Sequence, residues 1–188
     1  MYSAAISGTG LFTPPNTISN DELVEALNAF VETFNAENAA GIEAGTVEAL
    51  SPSSNEFIVK ASGIKSRYVL DKQGVLNTDR MAPSLPTRGD EELSIQAEMA
   101  IQPARDAIAA AGLGISDIDG VICAASNMQR AYPAMSIEIQ AALGMDAGRA
   151  FDMNVACSSA TFGIDMAAAA VRSGQAKRIL MINPEICS

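Results

Sequence analysis

Apolar positions along the chain change period several times, and each change marks an element. Residues 4–10 form a short apolar stretch of small residues ending in Gly8-Thr9-Gly10 ahead of Pro14-Pro15, which predicts a buried strand running into a loop. Ser19 and Glu22 stand at capping-box spacing, and Leu23, Leu27, Phe30, Val31 and Phe34 then recur on one helical face. Residues 35–52 are rich in Ala, Glu and Gly, consistent with a helical insertion interrupted at Gly41, Gly45 and Pro52. Ser53 and Glu56 repeat the capping-box spacing before Phe57-Ile58-Val59, Gly63 fits a helix stop, and residues 65–70 read as extended. Residues 71–90 read as a polar loop.

The second half alternates regularly. A long Ala-rich helix is expected over 91–111, with Pro103 either kinking it or marking a second start and Gly112 closing it. A buried strand follows at 121–125. Pro133 suits the first position of a helix carrying Ile137, Ile139, Ala141 and Leu143, which Gly144 stops. A strand at 150–156, a nearly uncharged helix at 158–173 ended by Gly174, and a strand at 178–182 complete the pattern. A helix apolar on most faces is expected to be buried centrally. Strands alternating with helices imply parallel crossovers in an α/β layer architecture.

Composition narrows the function. The chain has 188 residues, 48% hydrophobic and 18% charged, enough apolar material for a substantial core. No apolar run approaches the ~20 residues needed to cross a bilayer, and the first residues lack the basic start of a signal peptide, so a cytoplasmic location and no membrane partner are expected. A net charge of -10 with scattered basic residues argues against nucleic-acid binding. With no histidine, and with Cys123, Cys157 and Cys187 far apart, neither a metal site nor a disulfide is expected. Gly8-Thr9-Gly10 lacks the rest of a phosphate-binding fingerprint, and close packing is the better reading of those glycines.

Chemistry concentrates at Phe151-Asp152-Met153-Asn154-Val155-Ala156-Cys157-Ser158-Ser159-Ala160. A cysteine at a strand-to-helix junction meets unpaired N–H groups and the positive end of the helix dipole, which favour thiolate over thiol. Small residues after it keep the sulfur approachable, and a backbone N–H of the turn is placed to stabilise an oxyanion on an attacked thioester. The turn alone favours an inert buried cysteine, since most buried cysteines are unreactive. Cys123 lies in an apolar run and reads as a core residue, and Cys187 has no activating context.

Three blocks of residues together resemble the N-terminal half of a β-ketoacyl-acyl-carrier-protein synthase III, a condensing enzyme of the thiolase-like fold. Residues 54–67 are similar to the segment in which that family holds the coenzyme A adenine between a Trp and an Arg. Here Phe57 keeps a stacking face in the Trp place, and Ala61 stands where the Arg belongs. Residues 126–144 look like the loop and helix at the family's dimer interface, where Tyr132 takes the place of an aromatic residue that enters the partner's acyl pocket. Tyr132 read without the resemblance is a loop aromatic packed before Pro133. Residues 150–178 resemble the nucleophile segment, with Ser158-Ser159 in place of the common Ala-Gly, a variation also seen in relatives that load longer acyl chains.

The resemblance implies one half of a thiolase-like α/β fold over residues 1–188, with a mixed, mainly parallel sheet, a buried nucleophile helix and insertions near 35–52 and 71–90. It also implies a second half, outside this sequence, that supplies a His and an Asn. The implied function is decarboxylative Claisen condensation of an acyl-CoA primer, with a medium-chain acyl group possible, and malonyl-acyl-carrier-protein, with Cys157 as acyl acceptor. Such an enzyme has no tightly bound cofactor, uses the carrier protein's phosphopantetheine, is a homodimer and serves fatty acid biosynthesis. Other readings remain open: a polyketide-type or head-to-head acyl condensing enzyme, and a non-catalytic thiolase-fold subunit. A hydrolase fits poorly, because its nucleophile elbow carries Gly two residues either side of the nucleophile, where this chain has Val155 and Ser159.

Overall fold

The computed structural model describes residues 3–186, and Cys187 lies outside them. The chain divides into two compact units, Thr13–Pro86 and the segments on either side of it.

In the unit Thr13–Pro86, strand β1 (Asn16–Ser19) pairs antiparallel with β2 (Ser66–Val69), and helix α1 (Asn20–Glu37) leaves directly from β1. The predicted capping box is present: the Ser19 hydroxyl accepts from the Glu22 N–H and the Glu22 carboxylate accepts from the Ser19 N–H. That carboxylate also meets Lys72, and it lies well below its ordinary pKa of 4.5, at about 2, held there by Lys72 and the Ser19 backbone. Helix α1 ends at Glu37, and beyond the short α2 (Ala39–Glu43) the insertion is irregular, as its glycines foretell.

Helix α3 (Asn55–Ser62) is capped by Ser54 and not Ser53. The Asn28 side-chain amide takes both the N–H and the carbonyl of Ser53, which leaves the next serine to cap. Gly63 closes α3 at φ 73, a left-handed conformation that glycine adopts without a Cβ clash. The expected loop at 71–90 contains a short helix, α4 (Lys72–Leu76), because Asp71 caps it through the Gly74 N–H and also accepts from the Ser84 N–H.

In the other unit the sheet order is β4-β3-β5, with β3 (Gly120–Ala124) central and parallel to both β4 (Arg149–Met153) and β5 (Ile179–Ile182). Every residue of β3 is buried, as expected for the middle of a covered parallel sheet. Helices α5 (Ile95–Ala110) and α6 (Met135–Leu143) supply much of the core. Ala97, Ala100, Ala104 and Ile108 recur on one face of α5, and with Met135, Ile139, Leu143, Val121 and Leu180 they form one apolar cluster. The alanines let helix and sheet approach closely. At the strand entrance, the Asp119 carboxylate accepts from the Lys177 and Arg178 N–H groups, which sets the start of β5 beside β3 and lowers the Asp119 pKa.

Residues 4–10 form no strand. They run against α5: a Cβ on Gly8 would lie 2.1 Å from the Ala107 carbonyl oxygen, and one on Gly10 2.0 Å from that of Pro103. The glycines therefore serve close packing. Helix α5 begins at Ile95 and not 91, because Ser94 caps it through the Ala97 N–H, and Pro103 lies inside it. Helix α6 begins at Met135, two residues after Pro133, for a reason given below. Helix α7 (Ser159–Arg172) lies against β3 and β5, where a Cβ on Gly163 would fall 2.6 Å from the Met181 sulfur.

The expected all-round burial of α7 is not met within this chain. Only Ser159 and Gly163 are buried, whereas Phe162, Ile164 and Met166 are about half exposed. The helix is apolar, but nothing among the described residues covers its outer face.

Candidate active site

Strand β4 ends at Met153, three residues short of the expected end, because the chain then enters a tight turn over Asn154–Ser158. The Asn154 side-chain oxygen accepts from the Ala156 N–H at 2.9 Å, pulling the backbone back on itself. Ser159, buried at the first position of α7, works from the other side: its Oγ accepts from the Val155 N–H at 2.9 Å and donates to the Ala156 carbonyl at 2.8 Å. Further N–H donations run from Ser158 to the Val155 carbonyl and from Ser159 to the Ala156 carbonyl. Between these bonds Ala156 is held at φ 47, in the left-handed region that costs a non-glycine residue about 1–2 kcal/mol.

Cys157 follows this strained residue, exposed, two residues before the first residue of α7. The thiol therefore sits beyond the tip of the turn at the amino end of a 14-residue helix, as the sequence predicted. Cys123 presents the opposite environment. It is fully buried in β3, and burial, reinforced by the charges of Asp152, Glu138 and Glu185, pushes its thiol up to about 12. Of these two, only Cys157 is open to a substrate.

Tyr132 occupies the loop between β3 and α6, 93% exposed, joined to Pro133 by a cis peptide bond. Side chains distant in sequence hold the rest of that loop. Gln96 accepts from the Gln129 N–H, and its side-chain amide donates to the Asn127 and Pro184 carbonyls. Arg130 pairs with the buried Glu138 at 2.7 Å and donates to the Gly89 carbonyl. Ser126 donates through its N–H and hydroxyl to Glu185.

Asp152 explains the start of α6. Its two carboxylate oxygens accept from the Met135 and Ser136 N–H groups, each at 2.8 Å, and so cap a helix whose own N-cap, Ala134, has no side chain to do it. Proline at 133 consequently stands outside the helix. Asp152 lies in the stretch that leads to Cys157, and no local pattern there marks it as the cap of α6.

Phe57 lies in the unit Thr13–Pro86, on the first turn of α3, 65% exposed. Ala61 stands one helical turn further along the same helix. Among the described residues there is no group of three or more His, Cys, Asp or Glu side chains arranged to hold a metal, and no helix long and apolar enough to cross a membrane.

A parallel three-stranded layer feeds a cysteine turn and an apolar helix, and the chain has the thiolase-like fold. The crystal structure of 3-oxoacyl-[acyl-carrier-protein] synthase III from Aquifex aeolicus aligns with 95% of this chain and 43% of its own, at TM-score 0.65 and 26% identity. OleA of Xanthomonas campestris, solved with bound lauric acid and lauroyl-CoA, aligns with all of this chain and 45% of its own at TM-score 0.69; its 19% identity speaks for the fold alone.

The family model for 3-oxoacyl-[acyl-carrier-protein (ACP)] synthase III matches residues 151–188, the segment that contains Cys157. The β-ketodecanoyl-[acyl-carrier-protein] synthase of Pseudomonas aeruginosa is 56% identical over 165 residues, 88% of this chain and 47% of that protein. The β-ketoacyl-[acyl-carrier-protein] synthase III of Bartonella tribocorum is 32% identical over the whole of this chain and 44% of its own length. The chain belongs to the β-ketoacyl-acyl-carrier-protein synthase III family, and it spans about half the length of the curated relatives it matches.

Proposed function

We propose that this chain carries the acyl-accepting half of a condensing enzyme that joins an acyl-CoA primer to malonyl-acyl-carrier-protein. The Cys157 thiolate attacks the primer's thioester carbonyl, a backbone N–H of the turn stabilises the oxyanion, and coenzyme A leaves as its thiolate. Malonyl-carrier-protein then loses carbon dioxide, and the resulting carbanion attacks the acyl-enzyme carbonyl. The products are a β-ketoacyl-carrier-protein two carbons longer than the primer and the regenerated Cys157. The family His and Asn that assist decarboxylation belong to the second half of the fold, and the open apolar face of α7 is the surface that half covers.

The observation that carries this reading is the exposed Cys157 at the amino end of α7, inside the stretch that the family model matches. The 56% identical relative is named for a ten-carbon product. Subtracting the two carbons that malonyl contributes points to an eight-carbon, medium-chain primer here. Phe57 stacks on the adenine of the incoming coenzyme A, with weaker or different support because Ala61 replaces the family Arg. Tyr132, projecting from its loop, enters the acyl pocket of the partner in a homodimer. We place the enzyme in the cytoplasm, in fatty acid biosynthesis, with no tightly bound cofactor.

The test is acylation by radiolabelled octanoyl-CoA in the intact enzyme. Label is expected on Cys157 and absent from Cys157→Ala; a Cys157→Ala protein that still takes up label rejects the nucleophile assignment.

A further inference from the structure

Asn154 uses both ends of its side-chain amide, and the two ends serve different parts of the site. Its oxygen accepts from the Ala156 N–H at 2.9 Å, in the turn that presents Cys157. Its nitrogen donates to the Ser126 carbonyl at 2.8 Å, at the first residue of the loop that carries Tyr132. Ser126 is anchored again from the segment after β5, where Glu185 accepts from both its N–H and its hydroxyl. Two residues before Asn154, Asp152 holds the other end of the same loop by capping Met135 and Ser136. The strand that delivers the nucleophile thus grips the Tyr132 loop at both ends.

We propose that Asn154 is a positioning residue that sets Cys157 and the Tyr132 loop against one another, its oxygen fixing the nucleophile turn and its nitrogen fixing the pocket loop, with Asp152 as the second anchor. The inference rests on Cys157 being the acyl acceptor, and its loop half also rests on Tyr132 lining the acyl pocket. Asn is required because it alone combines one acceptor and one donor on a short planar group. Asp retains the acceptor but sets a carboxylate against the Ser126 carbonyl. Ala loses both contacts, and with them one of the bonds that hold Ala156 left-handed. The small displacements that follow matter because reacting atoms tolerate little misplacement.

Two readouts on the intact enzyme separate the two ends. The first is the rate at which iodoacetamide alkylates Cys157. Asn154→Ala is expected to slow it by roughly tenfold or more, and Asn154→Asp by less than roughly threefold. The second is the relative rate of Cys157 acylation by acyl-CoA primers of increasing chain length. Asn154→Asp and Asp152→Asn are expected to shift that preference in the same sense as Tyr132→Ala. Circular dichroism and melting identify any variant that fails to fold; should Asn154→Ala be lost in this way, Asn154→Ser replaces it, its hydroxyl able to reach the Ala156 N–H but not Ser126.

Alkylation of Asn154→Ala at the wild-type rate, or equal slowing in Asn154→Ala and Asn154→Asp, overturns the hold on Cys157. An unshifted chain-length preference in Asn154→Asp beside a shifted one in Tyr132→Ala overturns the hold on the loop. If Tyr132→Ala shifts nothing, the pocket role of Tyr132 and the loop half fall together, and the alkylation arm alone decides for Asn154. A Cys157→Ala protein that still accepts acyl groups removes the underlying reading itself.

Discussion

Replacing Glu138 by Gln tests whether the Tyr132 loop and α5 are held by a buried charge. The Glu138 side chain is 4% exposed and that of its partner Arg130 15%, with 2.7 Å between them. The same carboxylate accepts from the Ser94 N–H at 3.0 Å and the Ser94 hydroxyl at 2.8 Å, at the cap of α5. Gln keeps the volume and one acceptor oxygen, so no cavity opens. It also removes the negative charge and leaves the guanidinium of Arg130 largely out of water without a counter-ion. Removing one member of a buried pair costs about 3–5 kcal/mol, and because Gln retains part of the bonding to Ser94 we expect about 3 kcal/mol.

With a urea dependence of about 2 kcal/mol per molar, that loss lowers the unfolding midpoint by about 1.5 M. Arg130→Met alone is also expected to destabilise, because it strands the carboxylate. The double variant Glu138→Gln, Arg130→Met should be better than the sum of its parts by roughly 2 kcal/mol, since neither charge is then buried alone. A midpoint drop below about 0.3 M for Glu138→Gln, or strict additivity in the double variant, would refute the argument that charge compensation and not side-chain shape holds this corner.

Three further outcomes follow from single contacts. The stability that Glu22 supplies at the start of α1 is complete above its ordinary pKa of 4.5 and is lost as pH falls toward about 2, so the difference between wild type and Glu22→Gln in acid unfolding curves should vanish across that window. Iodoacetamide near pH 8 should label Cys157 and spare Cys123, whose thiol is pushed up to about 12, as peptide mass spectrometry will show; rapid labelling of Cys123 in the folded protein would contradict its placement in β3. Gly10→Ala forces a Cβ to within 2.0 Å of the Pro103 carbonyl oxygen, with only backbone available to move. It should cost about 2–4 kcal/mol and lower the melting temperature by roughly 5–10 °C; an unchanged melt would mean that residues 4–10 do not pack on α5.

What could be read from the sequence was whatever is settled within a few residues. A capping box spans four positions, so Ser19 and Glu22 announced α1; Gly63 and Gly144 announced helix ends because each takes the left-handed conformation a stop requires. The turn that presents Cys157 was legible for the same reason, being small residues between an apolar strand and an apolar helix. What stayed hidden is carried by contacts far apart in the chain. Asp152 starts α6 from 17 residues away, which no pattern around Pro133 reveals, and Glu138 reaches Ser94 across 44 residues. Asn28 moves a helix cap from Ser53 to Ser54, and α5, not a neighbouring strand, receives residues 4–10. Hydrogen-bonding capacity and helical period are properties of residue types in order, so the sequence determined most of the elements and the place of Cys157 at a strand-to-helix turn. Which donor meets which acceptor is decided only once the sheet has brought remote segments side by side, and that is why the grip of Asp152 and Asn154 on the Tyr132 loop belongs to the tertiary structure alone.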